Sequence, residues 1–340
     1  MASRTSRDVA RLAGVSQSTV SYVMSGKRPI SDETRTRVLA AMDELTYEPN
    51  AGARALASAR SSVIGLVVPF GAGADTGGLL PFIETIAQVA RSHDHEVLLV
   101  TAAEGSDGLR RLAGRRLCDA ILLLDIRCED DRVPLAAELG LPVVLIGVPD
   151  EAHGLPCVDV DFAGGARAAV AELARTGHDR VVLLGHPAEV MSLGLNFVGR
   201  FAGGARDEAA RHGLRLDEVS PVEWGRQGAR DAVRRVLDGH RPGERLGVVV
   251  SDANTTQPVL HALAAAGLTP GRDVSVIAVL TDELAAEAEP PVTNVSLRPQ
   301  DVSRRAMETL FEMLAGGSPA ADVNLLSMHM TVRDTVMPPR

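Results

Sequence analysis

The sequence predicts an α/β protein, with a small three-helix unit at the N-terminus and a larger body of parallel sheets behind it. Three observations lead there. Residues 6–45 carry helical apolar spacing broken by turn signals. From Val63 to Leu297, strand-like and helical segments alternate. The composition is 45% hydrophobic with only 3% aromatic, the aliphatic interior that sheets covered on both faces tend to have. At 340 residues the chain has room for two or three domains and a large core.

Val9, Ala10 and Ala13 fall at i, i+1 and i+4 and make the apolar face of a first short helix. Gly14 supplies the permissive backbone for a sharp turn. Ser16 is placed to cap a second helix, in which Val20 and Met24 point to the core. That leaves Gln17, Ser18, Thr19, Ser21 and Tyr22 outward, a polar set able to reach base edges and phosphates of DNA. Ser31 opens a third helix with Asp32 and Glu33 in its first turn, favoured by the helix dipole. Val38, Met42 and Leu45 continue its apolar stripe. Pro49 breaks the helix, and Asn50 can cap a short Ala-rich one.

Residues 5–58 closely resemble the DNA-binding headpiece and hinge of the LacI/GalR family of bacterial transcription regulators. The matching motifs are Asp8-Val-Ala-Arg-Leu-Ala-Gly-Val-Ser16, Thr19-Val-Ser21, Val38-Leu-Ala-Ala-Met42 and Tyr47-Glu-Pro-Asn50, in order and spacing. The resemblance implies a headpiece over 1–49, a hinge helix and linker over 50–61, and an effector-binding body over 62–337. It gives Gln17, Ser18 and Tyr22 the base-reading positions. An Arg is frequent where Tyr22 stands, so the half-site is expected to depart from those of sugar-operon repressors. Ser16, Thr19, Ser21, Ser31 and Thr34 are short hydroxyls suited to phosphate anchoring. In the hinge, Asn50, Ala53, Leu56 and Ala57 would enter the minor groove, with Leu56 as the wedge and Ala53 small enough for close approach. So short a helix is marginal in water, so docking must drive its ordering.

The charge is unevenly divided. Residues 1–62 carry nine Lys/Arg and six Asp/Glu, so +3; with −9 for the whole chain, the remainder carries −12. A basic headpiece on an acidic body presents one end to DNA and repels it elsewhere. Lys27 is the single lysine, so phosphate contacts rest on arginines and polar groups. Cys118, Cys128 and Cys157 are scattered without metal or redox spacing and fit a reduced compartment. No apolar run approaches a membrane span, and the N-terminus lacks an apolar signal core. A cytoplasmic protein with no membrane association is therefore expected.

Strand-like runs in the body are Val63–Val68, Val97–Thr101, Ala120–Asp125, Val143–Ile146, Val181–Gly185, Gly247–Ser251, Val274–Val279 and Val292–Leu297. Helical stretches include Ala163–Arg175, Arg200–His212, Gly225–Asp238 and Pro258–Ala266. There is no short tandem repeat and no low-complexity tail. This part resembles the same family's effector domain, a two-lobed fold like that of periplasmic sugar-binding proteins. The likeness rests on Val63-Ile-Gly-Leu-Val-Val-Pro69, Leu141-Pro-Val-Val-Leu-Ile146, Val158-Asp-Val-Asp161, Thr176-Gly-His178-Asp-Arg-Val-Val-Leu-Leu-Gly185, Arg200-Phe-Ala-Gly203, Asp273-Val-Ser-Val276 and Pro290-Pro-Val-Thr293. By that likeness, residues 62–160 and 293–321 form one lobe, and 161–292 with 322–337 form the other.

Competing chemistries fail in detail. After Gly73-x-x-x-x-Gly78 comes Leu79, where a phosphate loop needs Lys, and Gly71-x-Gly73-x-x-Thr76 does not complete a dinucleotide fingerprint. His93-Asp-His95 lacks a third clustered ligand and reads as a surface turn. His178 reads as a structural histidine and Glu129-Asp-Asp131 as a solvated helix start. Nothing assembles a nucleophile, base and oxyanion site, so neither enzyme activity nor a cofactor or metal is expected. The alternative is an α/β solute-binding protein or enzyme with a fortuitous helical cap.

For the effector cleft, the resemblance points to Arg200, Trp224, Asp252, Asn196, Phe70 and Phe82. Several positions depart from the sugar-contacting pattern. Asp or Arg is common where Gly147 and Val148 lie, the usual Asn-Asp pair is Ser251-Asp252, and a hydroxyl-binding carboxylate is lost at Leu280. Arg200, expected at the start of a helix, is then less compensated by acids, which favours an anionic or more apolar ligand, or none, over a hexose; the alternative for Arg200 is a structural salt bridge across the lobes to Asp252. The C-terminus Val336-Met-Pro-Pro-Arg340 lacks a leucine-heptad tail, so a homodimer on an inverted-repeat operator is expected.

Overall fold

The computed structural model describes residues 5–25, 28–47, 60–70 and 76–339. The N-terminal unit has helices α1 (Ser6–Ala13), α2 (Gln17–Ser25) and α3 (Asp32–Glu44). Asp8 accepts a hydrogen bond from the Thr5 backbone N–H at 2.9 Å and so fixes the start of α1. Gly14 ends it at φ 65°, in the left-handed region. The Ser16 hydroxyl caps α2 by accepting from the Thr19 N–H at 3.1 Å, and Ser31 caps α3 through the Thr34 N–H at 3.4 Å. Val9, Val20 and Val38, one from each helix, are wholly buried together. Val23 completes this small core with Ala10, Ala13 and Ala41.

The body holds two six-stranded sheets. The first contains β1 (Val63–Val68), β2 (Glu96–Thr101), β3 (Ala120–Leu124), β4 (Val143–Ile146), β5 (Cys157–Val160) and β11 (Val323–Leu326), in the order β11-β5-β4-β3-β1-β2. The second contains β6 (Arg180–Leu184), β7 (Arg215–Val219), β8 (Leu246–Val250), β9 (Ser275–Leu280), β10 (Thr293–Ser296) and β12 (His329–Thr331), in the order β12-β10-β9-β8-β6-β7. Every pairing is parallel except β10 with β12. Helices cover both faces, so β3, β6 and β8 are buried at every position. Their unbroken apolar runs follow from that.

The lobe boundaries expected near the C-terminus are corrected by the strand pairing. Thr293–Ser296 was assigned to the first lobe but runs parallel to β9 in the second sheet, with Thr293 opposite Ile277. Val323–Leu326 was assigned to the second lobe but pairs with β5 in the first, with Val323 opposite Cys157. Strand periodicity reports burial, not which sheet the strand joins, and these pairings are settled by contacts distant in sequence. The chain thus crosses between lobes three times: after β5, after β10, and between β11 and β12. The Pro299–Leu314 helix belongs to the first lobe, where Val302, Ala306, Met307 and Leu310 pack against Leu66, Leu122 and Val144.

In the second lobe, the helices Phe162–Arg175 and Asn196–His212 pack closely through small residues. A Cβ on Gly204 would lie 2.3 Å from the Ala163 carbonyl oxygen, whereas one on neighbouring Gly203 meets nothing within 4 Å. Gly204→Ala should therefore pry the pair apart and destabilise the fold by about 1–3 kcal/mol. Gly203→Ala should stabilise it by up to about 1 kcal/mol through helix propensity. Urea unfolding of the two variants checks the contrast, and equal midpoints would overturn the close-packing account.

Candidate functional site

Two regions concentrate exposed or cavity-facing polar chemistry. The first is the outer face of α2. Ser16, Gln17, Ser18 and Ser21 are exposed, and Thr19 and Tyr22 are half-buried, because Val20 and Val23 turn the opposite face into the core. The Ser16 hydroxyl lies 2.7 Å from that of Ser18 and 2.8 Å from that of Thr19. Gln17 Nε2 donates to Ser6 Oγ at 2.8 Å, which ties the start of α2 to the start of α1. Two positive helix ends thus lie side by side, an arrangement suited to phosphate. Ser31 donates to Thr34 Oγ1 at 2.9 Å at the start of α3. The Arg28 guanidinium lies 5.2 Å from the Tyr22 ring centroid, a contact that sequence spacing did not single out. The hinge positions Asn50, Ala53, Leu56 and Ala57 lie outside the described residues, as do 71–75 of the Gly-rich loop.

The second region is a cavity of about 190 Å³ lined from both lobes. Of the expected effector residues, Phe82, Trp224 and Asp252 line it. Phe70 is 39% exposed and lies outside the lining. Asn196 also lies outside, and its Nδ2 donates to Asp150 Oδ1 at 3.1 Å across the lobes. The adjacent backbone adds bonds from Asn196 N–H to Ile126 O at 3.3 Å and from Cys128 N–H to Gly194 O at 2.8 Å. These contacts join the lobes beside the cavity.

Arg200 differs most from expectation. It lies one turn inside a helix that starts at Asn196, not at the start. Its guanidinium is not in the lining but forms an ion pair with Asp159 of β5 and sits 5.5 Å from the Phe162 ring centroid. The charge expected to be poorly compensated is therefore compensated across the lobes, and by Asp159 rather than by Asp252. Burial pushes the Asp159 carboxyl up to about 6, against the opposing pull of Arg200 and of the Val160 N–H bond. No signal local to Arg200 pointed to a partner 41 positions away.

Asp252 caps the Ala253–Ala265 helix by accepting from the Asn254 N–H at 2.8 Å and the Thr255 N–H at 3.2 Å. Its other oxygen lies 3.2 Å from His186 Nδ1 and accepts from Trp224 Nε1 at 3.1 Å. Burial would raise this carboxyl, but the His186 bond and charge, then the Trp224 and Asn254 bonds, hold it below the usual range. His186 packs edge-on against Phe197 at 5.6 Å. Sequence reasoning missed His186 because its role depends on an acid 66 positions away. At Gly147 the backbone has φ 126° and a Cβ would meet Ile126 at 2.9 Å, so that wall admits no side chain.

The comparisons settle the family. The model for bacterial regulatory proteins of the lacI family matches residues 5–50, and that for a periplasmic binding protein-like domain matches 170–336. The chain is 33% identical over 310 residues to the HTH-type transcriptional regulator AglR of Rhizobium meliloti (strain 1021), covering 88% of this chain and 83% of that protein. It belongs to the LacI family of transcription regulators. It is also 30% identical to the HTH-type transcriptional regulator CelR of Thermobifida fusca, with 96% of each chain covered. In structure it is similar to the lac repressor dimer bound to operator and the anti-inducer ONPF, with a TM-score of 0.82, 22% identity, and coverage of 99% and 100%. A CelR–cellobiose complex gives a TM-score of 0.65 at 26% identity, covering 98% and 99%. The family's two-part plan, a helix-turn-helix unit followed by two α/β lobes, is the architecture seen here. Among the described residues no helix is long and apolar enough to cross a membrane, and no group of three or more His, Cys, Asp or Glu could hold a metal ion.

Proposed function

We propose that the protein is a repressor that binds an inverted-repeat DNA operator as a homodimer and is controlled by a small molecule in the interlobe cavity. The observation that carries this reading is the outer face of α2, where Gln17, Ser18 and Tyr22 stand over a core fixed by Val9, Val20 and Val38. One such helix reads only a few base pairs, so two copies on a two-fold site are needed for specificity. Phosphates are held by Ser16, Thr19, Ser21, Ser31 and Thr34, and Leu56 wedges the central step of the minor groove. The cavity lies where the lobes meet, so an occupant alters their relation and, through the linker, that of the headpieces.

Selection of bound sequences from a random DNA library tests the reading, and an inverted repeat is the expected product. On that repeat, Gln17→Ala should cost about 1–3 kcal/mol and relax preference at one position of each half-site. Selection of no sequence, or loss spread evenly over all DNA, would overturn the base-reading role.

A further inference from the structure

The two lobes are joined in two ways. Phe162, Leu297 and Met328 pack against the cores of both lobes, and each lies on one of the three crossovers, so this join is covalent and apolar. The second join is built on hydrogen bonds, and its second-lobe side falls within the short segment 194–200. The Gly194 carbonyl accepts from the Cys128 N–H at 2.8 Å, and the Asn196 N–H donates to the Ile126 carbonyl at 3.3 Å. Leu195 thereby pairs with Arg127 in an isolated antiparallel bridge. The Asn196 side chain donates to Asp150 Oδ1 at 3.1 Å, and one turn later Arg200 pairs with Asp159. The first-lobe partners sit at or just beyond the carboxyl ends of β3, β4 and β5, the ends whose residues Ile126, Val148 and Asp159 line the cavity.

We infer that segment 194–200 is a latch: through the chain's own polar groups it holds the lobes closed over the cavity whether or not a small molecule occupies it, and its bonds open together. All four bonds join one group of the chain to another, so closure needs no occupant. A hydrogen bond gives up little when water replaces its partner, whereas the crossovers would have to expose apolar surface. The polar join is therefore the one that opens, with the crossovers as the hinge. Arg200–Asp159 is its strongest member, a charged bond between side chains only 20% and 11% exposed. The two backbone bonds flank one bridge, so neither amide is freed without the other. This inference goes beyond the effector reading and does not rest on it; a molecule in the cavity acts on lobes that the chain already closes.

Amide hydrogen exchange of the full-length protein, with no small molecule added, reads the latch directly. At about pH 7.5 the Asp159 carboxyl, at about 6, is ionised. The Cys128 and Asn196 amides should exchange on the order of a hundredfold more slowly than in an unfolded peptide, and by the same factor, since one opening frees both. Asp159→Asn removes the charge and should speed both about tenfold. Asp150→Ala, at an exposed position, removes the bond from Asn196 and should speed both about fivefold. The double variant should multiply the two effects to about fiftyfold, because both act on one opening. The Ile121 and Val276 amides, bonded within their own lobes to Pro142 and Thr335, should not change in any variant. Unprotected Cys128 and Asn196 amides in the wild type, no acceleration in the variants, acceleration at one of the two alone, or an equal acceleration at Ile121 and Val276 would each overturn the inference. Where Asp159→Asn does not fold, Asp150→Ala decides.

Discussion

Raising the salt concentration from about 50 to about 200 mM should weaken operator binding by roughly a thousandfold. Among the described residues, the exposed cations of the N-terminal unit are Arg7, Arg11, Arg28, Arg35 and Arg37, and Arg11 is already partnered by Asp8 at 3.0 Å. If each headpiece neutralises about three phosphates, the dimer releases the counter-ions of about six, and log K should fall with log salt at a slope of about −5. The body adds no attraction, since its −12 repels the duplex and confines binding to the +3 end. On the proposed reading, the hydroxyls of Ser16, Thr19 and Ser31 would hold phosphates without releasing ions, and so would add affinity but little slope. Fluorescence-anisotropy titrations at four salt concentrations give the slope. A slope near −1, or full affinity for an isolated half-site, would overturn the two-headpiece account.

Much of this architecture was legible in the sequence, for physical reasons that vary by element. In the headpiece, helical spacing and two serine caps were enough, because a three-helix unit this small has one way to bury Val9, Val20 and Val38. Val23 on α2 and Ala41 on α3 went unnoticed as buried positions. Strands covered on both faces, such as Ala120–Leu124 and Val143–Ile146, announced themselves as unbroken apolar runs. Strand Arg215–Val219 did not, because it lies at a sheet edge and reads Arg-Leu-Asp-Glu-Val. Strands Val323–Leu326 and His329–Thr331 are short and partly exposed, and the choice of sheet for β10 and β11 is made by pairing that no local pattern encodes. The cavity follows the same division. Trp224, Asp252 and Phe82 were found through family resemblance, whereas Phe70 and Asn196 lie outside the lining. The Asp159–Arg200 and His186–Asp252 pairs arise only when distant segments meet.

Arg200→Ala should destabilise the folded protein at neutral pH by about 3–5 kcal/mol, because it leaves the Asp159 carboxylate buried beside the cavity without its partner. The side chains of Arg200 and Asp159 are only 20% and 11% exposed, so water cannot replace the guanidinium. Replacing both, as Arg200→Ala with Asp159→Leu, removes the orphaned charge and should recover most of the loss. The pair also sets a pH dependence whose sign is fixed. The folded Asp159 carboxyl, at about 6, lies above its ordinary value of 3.8. Between those values the folded protein holds a proton that the unfolded chain has released. The stabilising contribution of this group is therefore complete below about pH 4 and is lost as the pH rises to about 6. Relative to Asp159→Asn, the wild type should gain stability on acidification from pH 7 to pH 5. In Arg200→Ala the same gain should begin at higher pH, since the pull of the guanidinium is gone. Urea unfolding from pH 5 to pH 8 on the four proteins measures all of this. A double variant as unstable as Arg200→Ala alone would show that the loss comes from the packing of Arg200 over Phe162 and not from the abandoned carboxylate.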